Sequence, residues 1–329
     1  MNDSKEVLFS STCSHLHDKA CVQCEALKEV LQRIQSYLND MTMTEDELDD
    51  LRYTYHMAEE AIRSWKAHQL RSVRQDRART DILDTLDDSS VLITQDWAMK
   101  FLPQKYRESQ SDWFGKRRIS WHISVAARKN QGKLQSQSFV HVVENCNQDS
   151  FAVVRIIEHI LSTLKMEHPE LTSAYLRQDN AGCYHSSVML TACSNMAIKT
   201  GIAVRRVDFS DPQGGKGPCD RKAATIKAHV RRFINEGHDV QTALDFKDAM
   251  LSNGGIEGTR IVVVDASTVR DSQPQVKWDG VSSLNNFQYS ESGITVWRAY
   301  KVGEGKIVED IQTQGTNINL RQTLNNVWR

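Results

Sequence analysis

The sequence predicts an α/β protein in which helices flank a mixed β-sheet, preceded by a helical region. Hydrophobic residues alternate strictly along Ile119–Val125, as they do in a half-buried strand. From Phe151 to Leu164 they recur every three or four positions, as on one face of a helix. From residue 90 onward such segments follow one another as strand, strand, strand, helix, strand, helix, strand, helix. This order predicts one sheet with helices packed against it.

Composition limits the class of protein. The chain has 329 residues, of which 40% are hydrophobic and 25% charged, as in folded globular proteins. A net charge of −1 means that any surface for nucleic acid must be local. No apolar run approaches the roughly 18 residues of a membrane span, and the polar start is unlike a signal peptide. Seven cysteines, an odd number, suit a reducing compartment, so we predict an intracellular protein with no membrane partner.

The first motif groups cysteine and histidine ahead of a helix. Cys13, Cys21 and Cys24, joined by His17 or alternatively His15, offer four ligands of the types that zinc prefers. Cys21 and Cys24 form a CxxC pair, which is common in zinc knuckles. The overall spacing fits no standard finger, so unligated surface residues are the alternative.

Two helices are predicted between residues 25 and 70, joined near residues 39–44. Thr44 and Glu47 have the spacing of a capping box at the start of the second helix. Charge then reverses along the chain, from acidic residues 45–50 to a basic series: Arg63, Lys66, Arg71, Arg74, Arg77 and Arg79. The basic series indicates either a helix facing nucleic acid or an ordinary solvated face.

The central elements can be placed one by one. The predicted strands are 90–96, 119–125, 139–143, 174–178 and 203–208, and the predicted helices are 150–165, 185–199 and 221–236. A buried strand at 261–264 and a hairpin at 294–308 follow. Three parts are therefore predicted: the Cys/His cluster with the helical region at 1–88, the core at 89–250, and a β-rich extension or small appended module at 251–329.

Three aspartates stand where these elements end or begin. Asp96 and Asp179 each follow an apolar strand, and Asp220 opens a helix. Carboxylates from separate parts of a chain can hold two hard cations about 4 Å apart around a phosphate. We predict that these three bind a pair of Mg²⁺ ions. The alternative is chance, because any three of the 42 acidic residues could end strands.

Basic residues lie close to these acids along the chain. Between residues 101 and 118 they interleave with aromatic residues, as in grooves that bind nucleic acid. Loop aromatics that pack on their own core are the alternative. The predicted DNA-binding residues are Lys105, Arg107, Arg117, Arg118, Lys216, Lys227 and Arg231.

Three motifs carry a family resemblance: Thr94-Gln-Asp96-Trp, Arg177-Gln-Asp179-Asn-Ala-Gly and Gly215-Lys-Gly-Pro-Cys-Asp220. In this order they resemble the transposase-derived proteins of animal genomes, which have a ribonuclease-H-like fold and a three-acid DDE/D site. The resemblance covers roughly residues 91–237. This sequence departs from the family pattern in two places. The third acid is Asp where many relatives have Glu, and Gly214-Gly215 stands where similar sequences often have a His before Gly-Lys-Gly.

The resemblance implies a function. It implies metal-dependent cleavage and strand transfer on DNA, with Asp96, Asp179 and Asp220 as metal ligands, a nuclear location and a homo-oligomer. A domesticated relative that binds DNA or protein without catalysis is the alternative. A nucleotide-binding loop does not fit, because the Walker pattern requires Ser or Thr after the lysine, and Lys216 is followed by glycine.

The Cys/His cluster yields the first test. We expect the chain to bind one zinc ion through Cys13, Cys21, Cys24 and His17 or His15, because closed tetrahedral sites of such ligands bind tightly. Native mass spectrometry should show a mass increase of one zinc that chelator removes. An identical mass with zinc and with chelator would rule out this site.

Overall fold

A computed structural model describes residues 22–144, 146–210, 217–265, 278 and 280–308. Its centre is one nine-stranded mixed sheet with helices on both faces. The strands are β1 (Ser90–Trp97), β2 (Ser120–Asn130), β3 (Lys133–Glu144), β4 (Ser173–Gln178), β5 (Ala203–Phe209), β6 (Thr259–Asp265), β7 (Asn286–Ser290), β8 (Gly293–Trp297) and β9 (Lys306–Val308). Their order across the sheet is β6-β3-β2-β1-β4-β5-β7-β8-β9.

The helices occupy most of the remaining described chain. They are α1 (Val22–Asp40), α2 (Glu45–Thr85), α3 (Ser150–Glu167), α4 (Ser187–Ser194), α5 (Met196–Thr200), α6 (Pro218–Asn235) and α7 (Ala243–Leu251). No helix in the described ranges is both long enough and apolar enough to cross a membrane.

The middle of the sheet has the predicted arrangement. Strands β1, β2 and β3 pair antiparallel in succession, whereas β1, β4 and β5 pair parallel. The resulting order β3-β2-β1-β4-β5 is that of a ribonuclease-H-like core, so the predicted fold class is confirmed. Strand β6 adds to β3 in parallel, and β7 to β9 continue the sheet beyond β5 as antiparallel strands.

The sheet separates two apolar layers. Helix α3 buries Ile157, Ile160 and Leu161 on one face, together with side chains of α4 and α5. On the other face, α6 and α7 bury Ile226 and Phe246 against β2 and β3. Because β1 and β4 run parallel, their carboxyl ends lie at the same end of the sheet.

Helix α2 extends further than predicted. The sequence suggested an end near Leu70, but the helix continues to Thr85. Its last turns are held because Ala78 and Ile82 are buried against the sheet. At the other end, the predicted capping box is confirmed, since the Glu47 carboxylate accepts hydrogen bonds from the Thr44 backbone N–H at 3.3 Å and hydroxyl at 2.6 Å.

Two other helix predictions are wrong in detail. The predicted helix 185–199 is split into α4 and α5 at Asn195, which takes φ −103° and ψ 3°. Ser194 and Asn195 are short polar residues whose side chains compete for backbone hydrogen bonds, which favours a break. Helix α6 begins at Pro218, three residues before the predicted start, because proline suits the first position of a helix.

A buried polar network attaches α2 to the sheet. The Arg206 guanidinium donates to Asp208 Oδ2 at 3.0 Å, to the Tyr300 hydroxyl at 2.8 Å and to the Ala78 carbonyl oxygen at 2.6 Å. Asn286 donates to Asp208 Oδ1 at 2.6 Å and accepts from the Gln75 amide at 2.8 Å. Asp208 is fully buried, so its charge depends on these partners.

We therefore expect Asp208→Ala to lower the free energy of unfolding by about 3–5 kcal/mol, because Arg206 would be left as an uncompensated buried charge. Urea unfolding followed by circular dichroism measures the change. The exposed Arg232–Glu236 pair on α6 is the control, and Glu236→Ala should cost about 1 kcal/mol or less. Equal effects of the two substitutions would contradict the prediction.

Candidate active site

Pairing between β1 and β4 brings two of the predicted acids side by side. In this parallel pair Thr94 lies opposite Arg177, a separation of 83 residues along the chain. Gln95 and Gln178, also 83 residues apart, are joined by a hydrogen bond, and Asp96 and Asp179 are the next residues on each strand. Neighbouring strands lie about 4.8 Å apart. Asp179, the first residue after β4, therefore stands next to Asp96 in β1.

Both acids also face the same side of the sheet. The Gln95 amide donates to the Gln178 amide oxygen on the α3 side. Because successive side chains in a strand point to opposite faces, the next residues, Asp96 and Asp179, lie on the side of α2 and α6. The sequence pattern and the pairing thus direct two carboxylates toward the start of α6.

The first turn of α6 is fixed over the end of β1. The Cys219 thiol donates to the Thr94 carbonyl oxygen at 3.2 Å, two residues before Asp96. The Gly217 backbone N–H donates to Asp220 Oδ2 at 2.8 Å, which holds the Asp220 side chain against the helix start. A buried cysteine and a glycine turn therefore place the third acid near the first.

Electrostatics reflect the closeness of the three carboxylates. The pKa of Asp96 is raised to about 7, first by burial and then by the neighbouring charges of Asp179 and Asp220. Burial also raises the pKa of Asp179, although the Ala181 N–H donates to its carboxylate at 3.1 Å and opposes the shift. Like charges held together at one sheet edge are typical of functional sites.

Two further residues beside the acids escaped the sequence analysis. The Tyr184 phenol is fully buried, and burial raises its pKa well above the usual value. The negative charge of Asp96 raises this pKa further. Burial and Asp179 raise the pKa of the Cys183 thiol to about 11, so it stays protonated. Both residues follow Asp179 within five positions, and that proximity was the signal that could have found them.

His185, by contrast, belongs to the core. Its ring stacks on Phe209 with centroids 4.1 Å apart, and Nδ1 is hydrogen bonded to the Asn180 amide oxygen. Burial lowers the pKa of His185 to about 4, so the ring is neutral. These contacts favour a structural role for His185 over a role in proton transfer.

The predicted DNA-binding residues divide into two groups. Lys105 is neutralised by Asp112 at 2.8 Å. The others that the structure describes are exposed and have no ion-pair partner among the described residues: Arg107, Arg117, Arg118, Lys227 and Arg231. Arg117 and Arg118 directly precede β2, whose first residues pair with the end of β1 that carries Asp96.

Three of the four aromatic residues in the loop at 101–118 do not pack in the core. Tyr106, Trp113 and Phe114 are exposed, the last by 72%. The Lys116 ammonium lies 5.2 Å from the centre of the Trp113 ring and contacts the Glu108 carboxylate. Among the loop aromatics only Phe101 packs inward, against Phe246. The alternative of a self-packed loop therefore does not describe the three exposed rings.

Several predicted residues lie outside the described part of the chain. These are Lys216 and four of the zinc candidates: Cys13, His15, His17 and Cys21. The fifth, Cys24, lies in the first turn of α1 with a free, half-exposed thiol. The zinc site accordingly stays a prediction.

The acids suit a hard cation in their chemistry. Carboxylate oxygens are the ligands that Mg²⁺ prefers. Among the described residues, no three His, Cys, Asp or Glu side chains are already arranged to coordinate one ion. Asp96, Asp179 and Asp220 therefore supply the correct donor atoms without being arranged around one ion, and as like charges they would repel one another when no cation is bound.

Comparison with solved structures gives distant likenesses only. The human cytomegalovirus terminase nuclease domain matches at 11% identity and a TM-score of 0.25, over 56% of this chain and 69% of that one. The Mos1 transposase paired-end complex matches at 11% identity and a TM-score of 0.28, over 72% of each chain. A Mos1 mariner paired-end complex with Mn has 11% identity, a TM-score of 0.27 and coverage of 72% and 78%. Such low scores carry no argument about activity.

Sequence comparison is more definite. No curated protein sequence matches the chain significantly. A family model does match residues 75–289, from the docked end of α2 to the end of β7, which is more than half of the chain. The chain belongs to the family described as Domain of unknown function (DUF8701).

Proposed function

We propose that the protein cleaves phosphodiester bonds in DNA and transfers strands, using divalent cations held by Asp96, Asp179 and Asp220. The observation that carries the proposal is the parallel β1–β4 pairing, whose register, extended by two residues beyond Thr94 and Arg177, would bring Asp96 and Asp179 side by side. The hydrogen bond from Cys219 to Thr94 brings Asp220 to the same place. We infer from these contacts that the three carboxylates, which come from distant parts of the chain, act together at one end of the sheet.

Each acid has a distinct environment for this task. Asp96 lies within a central strand, so its backbone is rigid, and its pKa of about 7 leaves part of the population protonated at neutral pH. Cation binding would displace that proton, because ligating carboxylates must be ionised. Asp179 and Asp220 are more exposed and complete the donor set. Bound Mg²⁺ ions would activate the attacking water or hydroxyl and stabilise the leaving oxygen.

The surface around the acids suits a nucleic-acid backbone. Arg117 and Arg118 lie shortly before the part of β2 that pairs with the end of β1, and Lys227 and Arg231 follow Asp220 along the exposed face of α6. The exposed rings of Trp113 and Phe114 can stack on bases, which is common where single strands are bound. A local basic surface of this kind is compatible with a net charge of −1. A DNA substrate would place the working protein in the nucleus.

The proposed cleavage can be tested on supercoiled plasmid. We expect Mg²⁺- or Mn²⁺-dependent nicking by the wild type and a nicking rate lower by at least about 100-fold in Asp179→Asn. Substitution of residues that merely hydrogen bond to metal ligands already lowers metal affinity or activity by about 10–100-fold. Asp179→Asn should also weaken Mn²⁺ binding in calorimetry. The matched control is Asp84→Asn, at an exposed acid near the end of α2.

The outcome separates the two functions that the sequence left open. Nicking by wild type and Asp84→Asn, but not by Asp179→Asn, supports catalysis at these acids. If wild type neither nicks DNA nor binds Mn²⁺ while it still binds DNA, the protein is a domesticated binding protein and the catalytic proposal fails.

DNA binding itself should depend strongly on salt. Removal of one cation that binds a phosphate should reduce the slope of log affinity against log salt by about 0.9, because fewer counterions are released. Lys227→Ala should therefore show a shallower slope than the wild type, and Arg117→Ala with Arg118→Ala a slope shallower still. Fluorescence anisotropy over a salt series measures these slopes.

Lys133 provides the matched lysine control. It is exposed at the start of β3, beside the turn from β2 and at the end of the sheet opposite to Asp96. Lys133→Ala should bind DNA as the wild type does. Salt-insensitive binding, or an equal effect of Lys133→Ala and Lys227→Ala, would contradict the proposed interface.

A further inference from the structure

Helices α1 and α2 form a hairpin that reaches beyond the sheet. The Tyr55 hydroxyl of α2 donates to the Leu31 carbonyl oxygen of α1 at 2.9 Å, and Leu38 is buried where the helices meet. At a rise of 1.5 Å per residue, the 41 residues of α2 span about 60 Å. Its buried residues, Gln75, Ala78 and Ile82, all lie in its last third. The remainder of the hairpin stands away from the core.

This hairpin exposes an unusual amount of apolar surface. Of the 22 large hydrophobic side chains exposed in the described part of the chain, 12 lie between residues 22 and 73. On and just after α1 they form one stripe, Val30, Ile34, Tyr37 and Met41, exposed by 41–69%. Their spacing of four, three and four residues places them along one face.

The stripe lies beside the face that α1 turns toward α2. Leu27 and Leu31 are half-buried on that inner face, and the stripe begins one position before Leu31. On α2, Leu51, Met57 and Trp65 are likewise exposed, although Tyr55 and Ile62 between them are half-buried. On each helix the apolar surface is therefore wider than the part that the other helix of the hairpin covers. Helices of larger bundles have apolar surfaces of this width.

Charge indicates what covers this arc. Residues 45–50 of α2 contain five acidic and no basic residues, whereas residues 63–79 contain six basic residues and one acidic residue. Pairs within the helix, Arg52 with Asp49 and Arg63 with Glu59, offset only part of this difference. A second α2 lying in the opposite direction would set the acidic end of each copy against the basic part of the other. A nucleic acid would meet attraction at one end only and repulsion at the other, and it would leave the apolar stripe of α1 uncovered.

We propose that two copies of the chain associate through their α1–α2 hairpins, packed in opposite directions, to form a four-helix bundle. The pairing is self-complementary, because one two-fold axis brings each acidic end to the basic part of its partner. Val30, Ile34 and Tyr37 of each copy pack against the hairpin of the partner and form the apolar contact. This association does not depend on the proposed cleavage activity.

The test uses the full chain in sedimentation and light-scattering measurements at micromolar concentration. Wild type should show twice the monomer mass of 37.5 kDa. The double variant Ile34→Glu/Tyr37→Glu should be monomeric, with circular dichroism and thermal unfolding of the core retained. The control is Met166→Glu/Ile198→Glu, at exposed apolar residues on α3 and α5, and it should remain dimeric.

Charge exchange gives a second, independent measurement. Asp49→Lys/Asp50→Lys and Arg63→Glu/Lys66→Glu should each associate with themselves at least about tenfold more weakly than wild type, because like charges then meet. Mixed together, the two variants should restore dimers. A monomeric wild type would overturn the proposal, as would a dimer that persists in Ile34→Glu/Tyr37→Glu or charge variants that never form a mixed dimer.

Discussion

The parallel pairing of β1 with β4 is the contact on which the rest of the molecule depends. These strands lie in the middle of the sheet, and every other described strand adds to one side or the other of this pair. Their register also decides which side chains meet at the edge. A shift of one residue would turn Asp179 to the α3 side, away from Asp96 and from α6. The hydrogen bond between Gln95 and Gln178 fixes that register from the opposite face.

The two faces of the sheet carry different kinds of side chain. The α3 face is mainly apolar, although it also holds the Gln95–Gln178 hydrogen bond and the buried Glu158, which pairs with Arg155 and Lys199. Burial on this face lowers the pKa of His185 to about 4. The other face carries charges: the Arg206–Asp208 pair under α2 and the acids near α6. Buried charges need partners, and Asp208 has Arg206 and Asn286. Asp96 has other acids as its close charged neighbours, and a cation is the partner that its surroundings suit.

Helix α2 connects the sheet that carries the acids to the proposed dimer surface of the hairpin. Its end is held to β5 and β7 through Gln75 and the Ala78 carbonyl, close to the strands that lead to the acid site. Its beginning carries the apolar and charged surface of the hairpin. In a dimer formed through the hairpins, the two sheets would be placed at the outer ends of the bundle. Both acid sites would then remain open to long substrates.

Local sequence determined much of this structure. Alternation and helical spacing predicted the order of strands and helices, and Thr44 with Glu47 predicted the start of α2, because such signals lie within a few residues. Tertiary packing decided what those signals could not: the length of α2, which Ala78 and Ile82 set by burial, and the joining of β6 and β7 to opposite sides of the core. The acids show the same division. Their identity at strand ends was readable from the sequence, whereas their shared face and the pKa of Asp96 arise only when strands 83 residues apart are paired.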